Sequence, residues 1–212
     1  MENLRADNLP FRIPEQFDPL GSTEPAADLV ALRDLGREAF QVWREDHYSL
    51  PLTGPEFIEI GSWAGLSTLA LDGNGVGANI FCIDHWQGSP AGQWSPEAAG
   101  ITPRRAFSTF CRNMGDLLYR RVFPCVGHSL TYAAIWPRKA QLVYIDADHE
   151  RCGEDIDAWL PHVCEGGILA GHDYGIFKGV TEAVDRLNLE IPVKWIGKTI
   201  WCAYKPISSA VS

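Results

Sequence analysis

In the stretch YIDADHE (144–150), Asp146, Asp148, His149 and Glu150 follow directly on an apolar run, Leu142-Val143-Tyr144-Ile145. Such a run reads as a strand buried on both faces, and ionisable groups at its end are better placed for a ligand than for packing. An imidazole in this position titrates in the range that general acid–base chemistry needs. Three other apolar runs end in the same manner: EFIEIG in Gly61, NIFCID in Asp84 and GGILAGHD in His172-Asp173. The runs begin instead with Glu56, Asn79, Gln141 and Gly166, so the polar and flexible groups are biased toward one end. HERCG lacks a second histidine four residues on, which excludes a metalloprotease helix.

EIGSWAGLS adds a second kind of chemistry. Gly61 and Gly65 flank a strand-to-helix turn, and Asp84 lies 19 residues beyond Gly65. A carboxylate about 20 residues on, at the end of the next strand, is the usual acceptor for ribose hydroxyls. The dinucleotide pattern GxGxxG is absent, and Trp63 stands at its second glycine, where a side chain obstructs a pyrophosphate. A nucleoside without a pyrophosphate makes no such demand, which favours S-adenosyl-L-methionine (SAM) over NAD.

These residues need elements that hold them together. The pattern predicts a helix from Pro25 through the mid-forties, strands at 56–61, 79–84, 122–127, 141–146 and 166–173, and a closing hairpin around Gly197-Lys198. Helices are expected at 62–73, 104–121, 130–136, 153–163 and 179–187. Alternation of this kind implies a doubly wound α/β fold: a mostly parallel, seven-stranded, Rossmann-like sheet with an antiparallel C-terminal hairpin. Residues 1–24, with three prolines, read as an N-terminal arm, and 25–212 as one domain. The 19-residue loop 85–103, carrying Trp86 and Trp94, is longer than ordinary connections and reads as a lid.

Composition narrows the function. The chain has 212 residues, 46% hydrophobic and 21% charged, with a formal charge of −9. That charge argues against nucleic acid as a partner, and no apolar stretch reaches the length of a membrane span. Six cysteines without CxxC spacing read as reduced thiols, and the location as cytoplasmic.

FIEIGSWAGLSTLAL, IFCIDHWQG, VGHS, LVYIDADHE and GGILAGHDYG, in this order, resemble class I SAM-dependent methyltransferases. The likeness is to the small-molecule O-methyltransferase branch that includes the macrolide-sugar enzymes and, more distantly, catechol O-methyltransferase, and it covers roughly residues 56–187. It implies methyl transfer from SAM to a hydroxyl of a small-molecule acceptor. Glu59, Gly61, Ser62, Trp63, Gly65 and Ser67 would lie along the methionine end of the cofactor. Asp84, His85 and Trp86 would serve the ribose and adenine, with Ser129 and Asp146 completing the site. For Gly61 and Gly65 the plainer alternative is a tight turn, for Trp86 a core position, and for Ser129 a cap of the following helix.

By the same resemblance Asp146, His172 and Asp173 would hold a divalent cation, Mg2+ or another. His172 departs from the acid expected there, and a nitrogen donor shifts preference toward transition metals. Asp148 and His149 align with the catalytic bases of the two branches; the plainer reading of Asp148 is an N-cap. A homo-oligomer built through the arm is a further expectation. The rival readings are a SAM- or nucleoside-binding protein without transferase activity and an NAD oxidoreductase.

Overall fold

The computed structural model describes residues 9–21, 24–46, 54–88 and 100–207. Trp94 and most of the expected lid fall outside them, as do His47 and much of the arm.

Seven strands form one sheet in the order β3-β2-β1-β4-β5-β7-β6. Strands β1 (Glu56–Ile60), β2 (Asn79–Asp84), β3 (Val122–Val126), β4 (Ala140–Ile145) and β5 (Val163–Gly171) are parallel. β6 (Val193–Ile196) and β7 (Ile200–Tyr204) form the hairpin, and β7 pairs antiparallel with β5. Helices α1 (Ala26–Asp46), α2 (Leu66–Asp72), α3 (Pro103–Met114), α4 (Ser129–Ile135), α5 (Cys152–Trp159) and α6 (Lys178–Asn188) cover both faces. This is the doubly wound architecture that the alternation of patterns predicts.

Every residue of β4 is buried, because two cores meet on it. Phe57, Leu142 and Tyr144 join Leu29 and Leu32 of α1, Leu69 of α2 and Phe110 of α3 on one face. Ile58, Val143 and Ile145 join Ile156 and Trp159 of α5 and Val184 of α6 on the other. Successive strand residues point to opposite faces, so an unbroken apolar run feeds both. Pro124 is tolerated in β3 because that strand is an edge.

Local chemistry moves some boundaries. The helix expected over 104–121 starts at Pro103, capped by Thr102, whose hydroxyl accepts from Arg105 N at 3.2 Å. It stops at Met114, where Gly115 takes φ 50° and a single 3-10 turn follows. Arm residues Phe11 and Leu20 are buried in the α1–α3 core, and Asp18 and Asn113 exchange hydrogen bonds of 3.1 and 2.8 Å. No helix among the described residues is long and apolar enough to cross a membrane.

Candidate functional site

Strand order reverses between β1 and β4, and ligands of open α/β sheets bind outside the carboxyl ends of the strands at such a point. Here those ends are knit together: Asp146 N donates to Ile60 O at 2.8 Å and Gly61 N to Ile83 O at 2.9 Å. Gly61 has φ 88°, and a β-carbon built on it would overlap the carbonyl of Asp146. The glycine therefore serves strand packing as well as the turn. Gly65, φ 89°, would meet the Met114 methyl.

A cavity of about 1110 Å³ opens along this rim. Gly61, Ser62, Trp63, Ser67, Asp84 and His85 line one end, and Asp146, Asp148, His149, His172 and Asp173 the other. Residues remote in sequence thus share one cavity.

At the first end, Asp84 accepts from Trp63 N at 2.8 Å and from Trp86 N at 2.6 Å, one through each carboxylate oxygen. Burial raises its carboxyl, and these two N–H groups pull the other way. Trp86 is turned from the cavity into the core against Phe107 and Phe110, with its indole N–H donating to Trp63 O at 2.8 Å. It braces the turn rather than covering an adenine. Glu59 also lies beneath the turn, wholly buried, and accepts from the Thr68 hydroxyl. Burial raises its carboxyl, partly offset by the Ser67 and Thr68 hydroxyls. Glu59 Oε1 and Ser62 Oγ have no hydrogen-bond partner among the described residues. Of the two only Ser62 lines the cavity; an orphan hydroxyl there suits a polar ligand, and with the Asp84 carboxylate and the glycine turn it fits an adenosyl amino acid.

The loop after β3 brings a group that sequence reasoning passed over. His128 lines the cavity and meets His85 edge-to-face, centroids 5.0 Å apart. Ser129 lines it too, but its hydroxyl oxygen accepts from Trp159 Nε1 at 2.7 Å, and it supports the buried Asp155. His128, not Ser129, stands at the N-cap of α4, without a side-chain cap. Burial is the main cause that pushes Asp155 up to about 6, with the Ser129 hydroxyl opposing. Asp155 carried no signal in sequence beyond its place on the helix.

At the other end, Asp146, His149 and Asp173 offer ligand atoms within 4.8 Å of one another. His149 Nε2 is 2.9 Å from Asp173 Oδ2 and 4.0 Å from Asp146 Oδ1. One nitrogen and two carboxylates fit a divalent cation. The expected partner His172 stands on the far side of the carboxylates. Its Nδ1 is 3.3 Å from Asp173 Oδ1 and 3.8 Å from Asp146 Oδ2, while its Nε2 faces Asp28 at 3.3 Å. With a carboxylate at each ring nitrogen, His172 is placed as a double donor, and His149 takes the position expected of it as a ligand. Burial works against the His172 cation, but Asp146 and the hydrogen bonds to Asp173 and Asp28 outweigh it and push the imidazole up to about 11. Burial raises Asp146 to about 6, opposed by His172. Asp173 is raised by burial yet held well below the usual range by His149 and His172, and it takes a left-handed φ of 63°.

Asp148 lines the cavity and accepts from Glu150 N at 3.1 Å. It does not cap α5, whose N-cap is Arg151. Glu24, at the end of the arm, also lines the cavity, and burial together with Asp146 pushes it up to about 8.

A family model described as "Methyltransferase domain" matches residues 58–174. No curated protein matches. Among solved structures, the O-methyltransferase NovP superposes with TM-score 0.65 at 16% identity, over 86% of this chain and 81% of that one. The O-methyltransferase TomG from Streptomyces achromogenes, involved in tomaymycin synthesis and solved with SAM, gives 0.61 at 14%, over 87% and 82%. The SAH-bound methyltransferase PaMTH1 of Podospora anserina gives 0.51 at 15%, over 89% and 92%.

Proposed function

This chain belongs to the methyltransferase-domain family, and we propose that it moves a methyl group from SAM to a hydroxyl of a small molecule. The observation that carries the reading is the shared cavity, lined by the Gly61 turn and Asp84 and also by Asp146, Asp148, His149 and Asp173, three of which could hold a cation. We take residues 25–212 as the catalytic domain, 1–24 as an arm whose Gly21 and Glu24 line the cavity, and the cytoplasm as the location.

SAM supplies a methyl already activated by its sulfonium, so the protein acts mainly by positioning. Ser62, the Gly61 turn and the adjoining face of α2 would hold the amino-acid end, Asp84 the ribose hydroxyls, and His85 with His128 the adenine. The acceptor oxygen forms the new C–O bond as the C–S bond breaks, sulfur keeps the electron pair, and the acceptor proton passes to a base. Asp148 suits that role, because it lines the cavity and among the described residues its carboxylate accepts a hydrogen bond from the Glu150 main chain alone. His149 is tied to Asp173 at 2.9 Å, and it would join Asp146 and Asp173 in holding a divalent cation. Such an ion, when bound, lowers the pKa of a coordinated hydroxyl.

The test is calorimetric binding of SAH followed by transfer of labelled methyl from SAM to a panel of small hydroxylated acceptors with added Mg2+ or Mn2+. Binding with product formation supports the proposal. Binding with no product across the panel favours a SAM-binding protein without transferase activity, and no binding sinks both.

A further inference from the structure

One buried carboxylate has no part in the chemistry above. Asp28, in the first turn of α1, is wholly buried. Three groups of the β6–β7 turn donate to it: Lys198 N, Thr199 N at 3.3 Å and the Thr199 hydroxyl at 2.9 Å. The turn is shaped around it, since any side chain at Gly197 would run into Asp28 Oδ1. Its other oxygen, shared with the Thr199 hydroxyl, faces His172 Nε2 at 3.3 Å.

A tie between helix and hairpin requires only a neutral acceptor at position 28. A buried carboxylate is costly without a strong partner, and the imidazole of His172 is that partner. The same ring presents Nδ1 to Asp173 and Asp146, so fixing one edge of the ring fixes what the carboxylates meet on the other. His172 is also pinned from the main chain, its N–H donating to Ile145 O at 3.1 Å.

We propose that Asp28 is a positioning residue of the methyl-transfer site: it anchors His172 so that the imidazole braces Asp146 and Asp173 toward His149 and the cavity. The inference rests on the functional reading given above. It makes His172 an interior brace rather than a ligand, and it makes the β6–β7 turn part of the support of the site although the turn does not line the cavity.

The test uses the full chain with Asp28→Asn, Asp28→Ala and Thr199→Val. Asp28→Asn keeps an oxygen for the turn amides but removes the carboxylate facing His172. Thr199→Val loosens the hairpin tie and leaves Asp28 facing the ring. Expected for Asp28→Asn are SAH affinity within about twofold of wild type, kcat down tenfold or more at nearly constant KM for SAM, and a changed ring-nitrogen signal for His172. That signal is read by long-range 1H–15N NMR in chelator and assigned with His172→Gln. Thr199→Val is expected to lower Tm with kcat within twofold. An unchanged His172 signal in Asp28→Asn, or equal activity losses in Asp28→Asn and Thr199→Val, would overturn the proposal. Should Asp28→Ala fail to fold, Asp28→Asn still decides. If the wild type transfers no methyl group to any acceptor, the functional reading falls, while the His172 signal still decides whether Asp28 holds that ring.

Discussion

The imidazole of His149 lies flat on the ring of Phe177, with centroids 4.0 Å apart and planes 4° from parallel. Stacking fixes the plane of the ring, and Nε2 then points at Asp173. A half-buried pair of this kind contributes about 1 kcal/mol beyond the area it covers. Phe177→Ala is therefore expected to weaken Mn2+ binding roughly threefold to tenfold with a small change in Tm, and His149→Ala to weaken it more. Calorimetry with Mn2+ on both variants checks this; equal affinities in wild type and His149→Ala would remove His149 from the cation site.

Asp84 holds the backbone of Trp63 and Trp86, and under the proposed function its remaining lone pairs would serve a ribose. Asp84→Asn keeps one acceptor oxygen and Asp84→Ala none. SAH affinity is expected to fall at least tenfold in the first and further in the second, with a loss of about 1–3 kcal/mol of stability as a buried donor loses its partner. Unchanged SAH binding in Asp84→Ala would move the nucleoside elsewhere.

The two glycines of the turn differ in what a side chain would strike. At Gly61 it meets the main chain of Asp146 and Ala147 just after β4; at Gly65 it meets the end of a flexible methionine. Gly61→Ala is expected to cost about 3 kcal/mol or more and to abolish SAH binding, and Gly65→Ala clearly less. Denaturant titration of both variants gives the order, and a reversed order contradicts the packing described.

Asp155 makes a prediction about pH. Its carboxyl sits at about 6 in the folded protein, above the value near 4 of an unfolded aspartate. The folded state therefore holds the proton more tightly; there is no penalty below about pH 4, and stability is lost as pH rises through 6. Asp155→Asn removes that penalty. It should match wild type near pH 4 and exceed it at pH 7–8 by up to roughly 3 kcal/mol. Melting curves across this range check it, and a constant difference would show that ionisation of Asp155 is not the cause.

Strand ends were readable from sequence because an apolar run that stops at a glycine or an acid carries both its burial and its limit. Asp84 and Asp146 each fall within one residue of a strand terminus for that reason. Side-chain direction was not readable. Trp86 follows Asp84 closely, yet a left-handed φ of 52° turns it into the core. His149 and His172 are both histidines beside acids that line the cavity, and only the fold shows that His172 also faces Asp28. Glu24, His128 and Asp155 reach the site from three separate segments, and no local pattern marks such a meeting. The end of α3 at Met114 was not readable either, because a glycine at the close of an amphipathic run leaves no periodic trace.

β7 lies inside the sheet, between β5 and β6, although it comes last of the seven along the chain. On the ribosome, β5 must wait with one edge bare until residues 200–204 have emerged, and a bare edge readily pairs with the wrong neighbour. The grip of the Lys198-Thr199 turn on Asp28 closes only then. Order of synthesis thus leaves the acid-rich end of the cavity without its outer support until the final stage of folding, well after the glycine turn and its helix have been made.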